Sequence, residues 1–162
     1  MVRRLKVAGV ARMVALLFAI AGACTLAASP ASAFHFVPEA TRFKATGTIG
    51  FAQGQVGYVC TATIQGKTTA RGKAKITSLK LTGSDDCTST KPIHLPWTVK
   101  ATGPSGGDIK LLGFNGPVGE CGPDAGATEV DGAGNWSFDL LLHPTCIVSG
   151  SVATNPAITI TN

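Results

Sequence analysis

Cysteine, histidine and carboxylate spacing sets what chemistry this chain could do. Downstream of position 33 the cysteines are Cys60, Cys87, Cys121 and Cys146, with separations of 27, 34 and 25 residues. No Cys-x-x-Cys pair exists to hold zinc. An even number of cysteines suits disulfides formed in an oxidising compartment. Three connectivities are open. Cys60–Cys87 with Cys121–Cys146 is favoured, because each pair brackets one hairpin-like stretch. A loop of that size contributes ~3–4 kcal/mol in the chain-entropy model.

Nucleophilic catalysis would need a serine or cysteine beside a histidine and a carboxylate. The histidines are His35, His94 and His143. His35 lies next to a cleavage pattern, and His94 and His143 sit near prolines. No Gly-x-Ser-x-Gly elbow occurs. Asp85-Asp86 is an adjacent pair whose side chains diverge in extended chain, so it reads as a solvated turn. Asp124, Glu129 and Asp131 could approach one calcium ion, but their spacing fits no EF-hand. Asn135-Trp136-Ser137 matches a glycosylation sequon. Trp97 and Trp136 are expected in the core, with an exposed aromatic that touches an apolar or sugar surface as the alternative. No catalytic residue, cofactor site or metal site is expected.

The elements that must carry these residues have an apolar period of two. Val56, Tyr58, Cys60, Ala62 and Ile64 alternate with Gly57, Val59, Thr61, Thr63 and Gln65, which is a strand with one buried face. Ala74 and Ile76 continue the pattern, and the phase then slips to Leu79 and Leu81, so a bulge is predicted near Ser78. Residues 66–72 are expected to close that hairpin. Further strands are predicted over 43–51, 95–101, 108–114, 135–142, 146–152 and 157–161. Trp136, Phe138, Leu140 and Leu142 should share one face. Turn chemistry marks Pro104-Ser105-Gly106-Gly107, Asn115-Gly116-Pro117 and Asp131-Gly132-Ala133-Gly134. Residues 116–134 are small and polar and read as an irregular loop pinned by Cys121. No helical stripe is evident. Seven to eight strands imply an all-β antiparallel sandwich or barrel.

The first 33 residues read differently. Arg3, Arg4, Lys6 and Arg12 precede an apolar run from Met13 to Ala28. Pro30 breaks it, and Ala31-Ser32-Ala33 offers a signal-peptidase site. The apolar core is short of the roughly 20 residues that a membrane span needs. Lipidation at Cys24, after Ala21-Gly22-Ala23, is the competing reading. The expected organisation is therefore a signal peptide over 1–33 and one secreted all-β domain over 34–162, with no integral membrane segment after cleavage. Fourteen basic residues less the four in the signal leave ten, against nine acidic, a net of +1. The high overall pI thus reflects export chemistry, and no nucleic-acid footprint is expected.

Cys60-Thr61-Ala62-Thr63, Ala74-Lys75-Ile76-Thr77, Gly83-Ser84 before Cys87, and Leu95-Pro96-Trp97-Thr98 together resemble the secreted protein activators of alkane oxidation. Gly119-Glu120-Cys121, Cys146-Ile147-Val148-Ser149-Gly150 and Asn155-Pro156-Ala157-Ile158-Thr159-Ile160 extend the resemblance over about residues 41–162. It implies a small exported β protein that promotes growth on hydrocarbons without being the oxygenase, and it supplies no catalytic motif. A Lys-rich hairpin (Lys67, Arg71, Lys73, Lys75, Lys80) departs from the most Ser/Thr-rich members. The expected function is non-enzymatic action at a cell surface or hydrocarbon interface, with hydrocarbon or cell-surface material as partner. The alternative is a structural or adhesive surface or biofilm component that self-associates through edges such as residues 157–162. A small hydrolase or inhibitor is a third reading and would need a concave site.

Overall fold

The computed structural model describes residues 33–117 and 119–162. The export segment, Cys24 and the residues up to Ser32 lie outside the described residues. The elements are β1 (His35–Val37), β2 (Arg42–Gln53), β3 (Val56–Thr69), β4 (Lys73–Thr82), α1 (Asp85–Ser89) and β5 (Lys91–Ile93). They continue with β6 (Trp97–Gly103), β7 (Gly106–Gly116), β8 (Gly119–Val130), β9 (Asn135–Leu142), β10 (Cys146–Asn155) and β11 (Thr159–Thr161).

Strands β2, β3, β4, β6, β7, β8, β9 and β10 pair in chain order, all antiparallel, and β10 returns to β2. The result is an eight-stranded up-and-down barrel, which settles sandwich against barrel. Closure removes the free sheet edges that an open meander would present. One edge of β7 is shared, with β6 against Gly106 to Lys110 and β5 against Gly113 to Asn115.

The period of two explains the wall. Phe43, Ala45, Ile49 and Phe51 face inward from β2, and Cys60, Ala62 and Ile64 from β3. Outward positions of β2 and β3 include Arg42, Lys44, Thr46, Thr48, Thr61, Thr63, Gln65 and Lys67. That alternation is the reverse of a transmembrane barrel, which turns its apolar face outward. Among the described residues no helix is long and apolar enough to cross a membrane. The predicted phase slip is present: Gln65 opposes Ser78 while Gly66 opposes Ile76, so Thr77 is the extra residue.

Two glycines make the closing seam possible. A Cβ on Gly47 would lie 2.0 Å from the Ser151 carbonyl oxygen, and one on Gly150 would lie 2.3 Å from that of Thr48. First and last barrel strands therefore meet closely only because both positions lack side chains.

Several sequence expectations need correction. Residues 116–134 are not an irregular loop, because 119–130 form β8 between β7 and β9. Its small inward residues leave room for partners: a Cβ on Gly126 would lie 2.3 Å from Leu140 Cδ2. Strand β3 runs to Thr69, so only residues 70–72 turn the hairpin that was expected over 66–72. Strand β7 extends from Gly106 through Gly116, through positions read as turns. Asp85-Asp86 opens a short helix instead of a turn, capped by Ser84 and carrying fully buried Cys87. The terminal strand spans only Thr159–Thr161, and the three-residue strands β1 and β5 were unforeseen.

The barrel's two ends are closed differently. At one end the ribbon β1–β11 lies across the opening. Phe36 is fully buried and stacks on Trp136 with ring centroids 5.3 Å apart, and Phe43 reaches the same indole at 5.6 Å. Trp136 Nε1 donates to the Ile158 carbonyl at 3.1 Å. Two buried threonines latch the ribbon. Thr68 Oγ1 donates to the Pro38 carbonyl at 2.7 Å and accepts from Thr41 N–H at 3.0 Å. Thr154 Oγ1 donates to the Gly134 carbonyl and accepts from Ile158 N–H, both at 2.8 Å. At the other end α1, β5 and the cysteines do the closing.

Candidate interaction surface

The histidines and carboxylates singled out in the sequence are not brought together. His35 lies in the ribbon, with Nε2 3.9 Å from Glu39 Oε1. His94 and His143 sit in turns at the opposite end, after β5 and after β9. Among the described residues no hydrogen bond joins a histidine ring to a serine or carboxylate. The His143 backbone N–H donates to the Asp124 carboxylate instead. Asp85 and Asp86 stand in the first turn of α1, where their charge complements the positive helix end.

The three candidate calcium ligands have separate duties, and no metal-binding cluster occurs among the described residues. Asp124 holds the turn before β10. Glu129 points outward from β8. Asp131 folds the β8–β9 turn by accepting from Asn135 Nδ2 at 2.7 Å, Asn135 N–H at 2.8 Å and Ala133 N–H at 2.9 Å. The Asn135 side-chain bond, first among these, holds the Asp131 carboxyl below its ordinary value of 3.8. The same bond engages the side-chain nitrogen of the sequon asparagine.

Neither tryptophan is an exposed platform. Trp97 and Trp136 are both core residues. Trp97 donates from Nε1 to the Ile93 carbonyl at 2.8 Å and meets Phe114 edge-on at 5.2 Å. The barrel interior retains an apolar void of about 40 Å³ beside Ile49, Ile76, Trp97 and Leu140. A cavity that accepts benzene measures roughly 150 Å³. The lumen is a packed core and too small for a chain alkane.

The structure pairs Cys60 with Cys87, Cα atoms 5.5 Å apart, and Cys121 with Cys146, 5.9 Å apart. Both separations lie within the disulfide range. This is the favoured connectivity. The first pair ties α1 to β3, and the second ties β8 to the start of β10.

The wall near this disulfide end carries the feature that sequence reasoning missed. Leu141, Ile147, Ala52 and Gly57 are direct neighbours across β9, β10, β2 and β3, all on the outward phase. Leu141 is 73% exposed and Ile147 47%. Val59, two positions along β3 from Gly57, is 69% exposed, whereas Val56 at the hairpin, 42% exposed, belongs to the opposite phase with Tyr58 and Cys60 and lies outside this surface. Adjacent strands stand about 4.8 Å apart, so Leu141, Ile147 and Ala52 adjoin, and Val59 joins this aliphatic strip on the diagonal from Ala52, past Gly57 and Gly50. Gly50, opposite Val59, leaves that valine uncovered. Scattered exposed valines are ordinary, but contiguous exposed aliphatics mark contact surfaces. The sequence signal was three large aliphatics, Val59, Leu141 and Ile147, in phases otherwise given mostly to small, polar and charged residues.

A family model described as alkane oxidation protein activator, PraA/PraB-like, matches residues 9–162. No curated protein and no solved structure gives a match. With nearly its whole length matched, the chain belongs to the PraA/PraB-like alkane oxidation protein activators.

Proposed function

We propose that this activator-family member is exported, loses residues 1–33, and acts as a non-enzymatic barrel that meets hydrocarbon at a cell surface or droplet. The observation that carries the reading is the exposed aliphatic strip of Val59, Ala52, Ile147 and Leu141 on a wall whose other outward positions are mostly polar or charged, with Leu111 on β7 a separate exposed aliphatic. A folded barrel whose lumen is full can offer hydrocarbon only its outside. The strip supplies apolar contact, while the polar remainder keeps the molecule in water. The family description names an activator of alkane oxidation, which fits a helper that improves access to alkane and leaves the oxidation to another protein.

The self-pairing edge expected at residues 157–162 is taken on one side by β1, and Ile158 is fully buried. Polymer growth by edge pairing is thus less supported than contact through the strip.

The test is interfacial tension at a hexadecane–water boundary with purified Phe34–Asn162. The protein should lower the tension and keep its β-sheet circular dichroism when recovered. Behaviour no better than an equal mass of an inert secreted protein would remove the reading.

A further inference from the structure

The half of the wall nearer the ribbon carries a second surface. The register sets Arg42, Lys67, Lys75, Thr98 and Lys110 side by side on β2, β3, β4, β6 and β7. Lys44 flanks this row on one side, and Lys73 and Lys100 flank it on the other, where Lys100 opposes Asp108. Directly opposed like charges destabilise a sheet, and here Arg42 faces Lys67 and Lys67 faces Lys75. Among the described residues the one salt bridge is His35 with Glu39, so none of these cations has a carboxylate within 4.0 Å. Strands β8, β9 and β10 hold no Lys or Arg at all. The charge is segregated around the barrel, where a merely solubilising surface would intersperse both signs. At the β3–β4 bulge an open groove of about 520 Å³ runs between Arg42, Lys44, Gln65, Lys67 and Thr77.

We propose that this face binds a flexible linear anionic polysaccharide. Arg42, Lys44 and Lys67 hold acidic groups in the groove, and Lys75 and Lys110 continue the track around the wall. The row spans four inter-strand steps, about 19 Å at 4.8 Å each, on a convex surface. A flat bilayer touches a convex wall along a line and reaches only part of such a row. A DNA duplex, stiff over roughly 50 nm, meets it in the same tangential way. Single-stranded nucleic acid would want exposed aromatic rings, and Trp97, Trp136, Phe43, Phe51 and Phe114 are all buried. A chain that bends from sugar to sugar can follow the curve, and its spaced carboxylates complement the spaced cations. This inference deepens the surface reading by naming a partner. The two fail separately, since polymer binding is measured in solution with no oil present.

The experiment is binding of Phe34–Asn162 to polygalacturonate, with neutral dextran, a DNA duplex and phosphatidylglycerol vesicles alongside. Wild type should bind polygalacturonate, at least tenfold more weakly when salt rises from 50 to 200 mM, by release of bound counterions. The variant Arg42→Gln/Lys67→Gln/Lys75→Gln should lose at least tenfold in affinity. It should melt no lower than wild type, because only like-charge repulsion is removed. Lys75→Gln alone gives a milder form of the same test, with a smaller loss. Asp139→Asn on the acidic side should bind as wild type does. Four results would overturn the proposal: no polygalacturonate binding at 50 mM salt, equal binding to duplex or vesicles, unchanged affinity in the triple variant, or low-salt self-association that displaces the polymer.

Discussion

The two ends of the barrel solve one problem by opposite means. The ribbon end is closed by noncovalent contacts: Phe36 on Trp136, and Thr68 and Thr154 each satisfied in both directions. The other end is closed by α1, β5 and two cysteine pairs. There Tyr58 Oη and Thr90 Oγ1 add a 2.8 Å hydrogen bond across the rim. The difference teaches where stability and function are kept apart. The end with covalent ties can leave Leu141, Ile147 and Val59 in water, because its shape does not depend on burying them. The ribbon end has no such freedom and buries its large side chains.

The largest effect should come from the ribbon end. Phe36→Ala removes a fully buried ring that plugs the opening and should cost about 3–5 kcal/mol, read as a lower urea midpoint. A loss below about 1 kcal/mol would mean the plug is not structural.

Next comes the covalent end. Cys60→Ser should cost ~2–5 kcal/mol, a large part of the 5–15 kcal/mol typical of a domain. Thiol labelling of native exported protein should find none of Cys60, Cys87, Cys121 and Cys146 free. Two or more labelled cysteines per chain would break the comparison. Reduction should speed hydrogen exchange in α1 and β5 while β1 and β11 stay protected.

Thr68→Val is a finer probe of the latch. It deletes the donor to the Pro38 carbonyl and the acceptor for Thr41 N–H, and should cost about 1–3 kcal/mol because the partners stay poorly hydrated.

The smallest effect concerns Asp131 at the ribbon end. Its folded pKa is depressed, so its ionised form stabilises the fold at pH above about 3.8. That contribution is lost as pH falls through the depressed value. Asp131→Asn should therefore melt slightly below wild type near neutrality, with the two melting temperatures converging in acid. A gap that persisted undiminished at low pH would show that charge plays no part in the turn.

Much of this architecture was legible. The alternation in β2, β3, β9 and β10, the slip at Thr77 and the favoured cysteine pairing all follow from local pattern. Strand β8 was not legible, because Gly122, Gly126 and Ala127 carry little β propensity and its place is fixed by neighbours such as Leu140. Strands β1 and β5 are three residues each, too short for a period to register, whereas β11 falls within the strand expected over 157–161. The surfaces were legible only in pieces. Lys67, Lys73 and Lys75 stand out in one hairpin, but Arg42 and Lys110 join them only through barrel register. Leu141 beside Ile147 is likewise a product of pairing between strands.

The central claim is that hydrocarbon is met by the outside of an intact barrel, at the strip. The most direct test compares wild type with Val59→Ser/Leu141→Ser/Ile147→Ser at a hexadecane–water boundary by pendant-drop tension, with melting temperature measured in parallel. These side chains are exposed, so the variant should melt within a few degrees of wild type while losing most of the tension lowering. A variant that melts normally and lowers the tension as wild type does would contradict the claim.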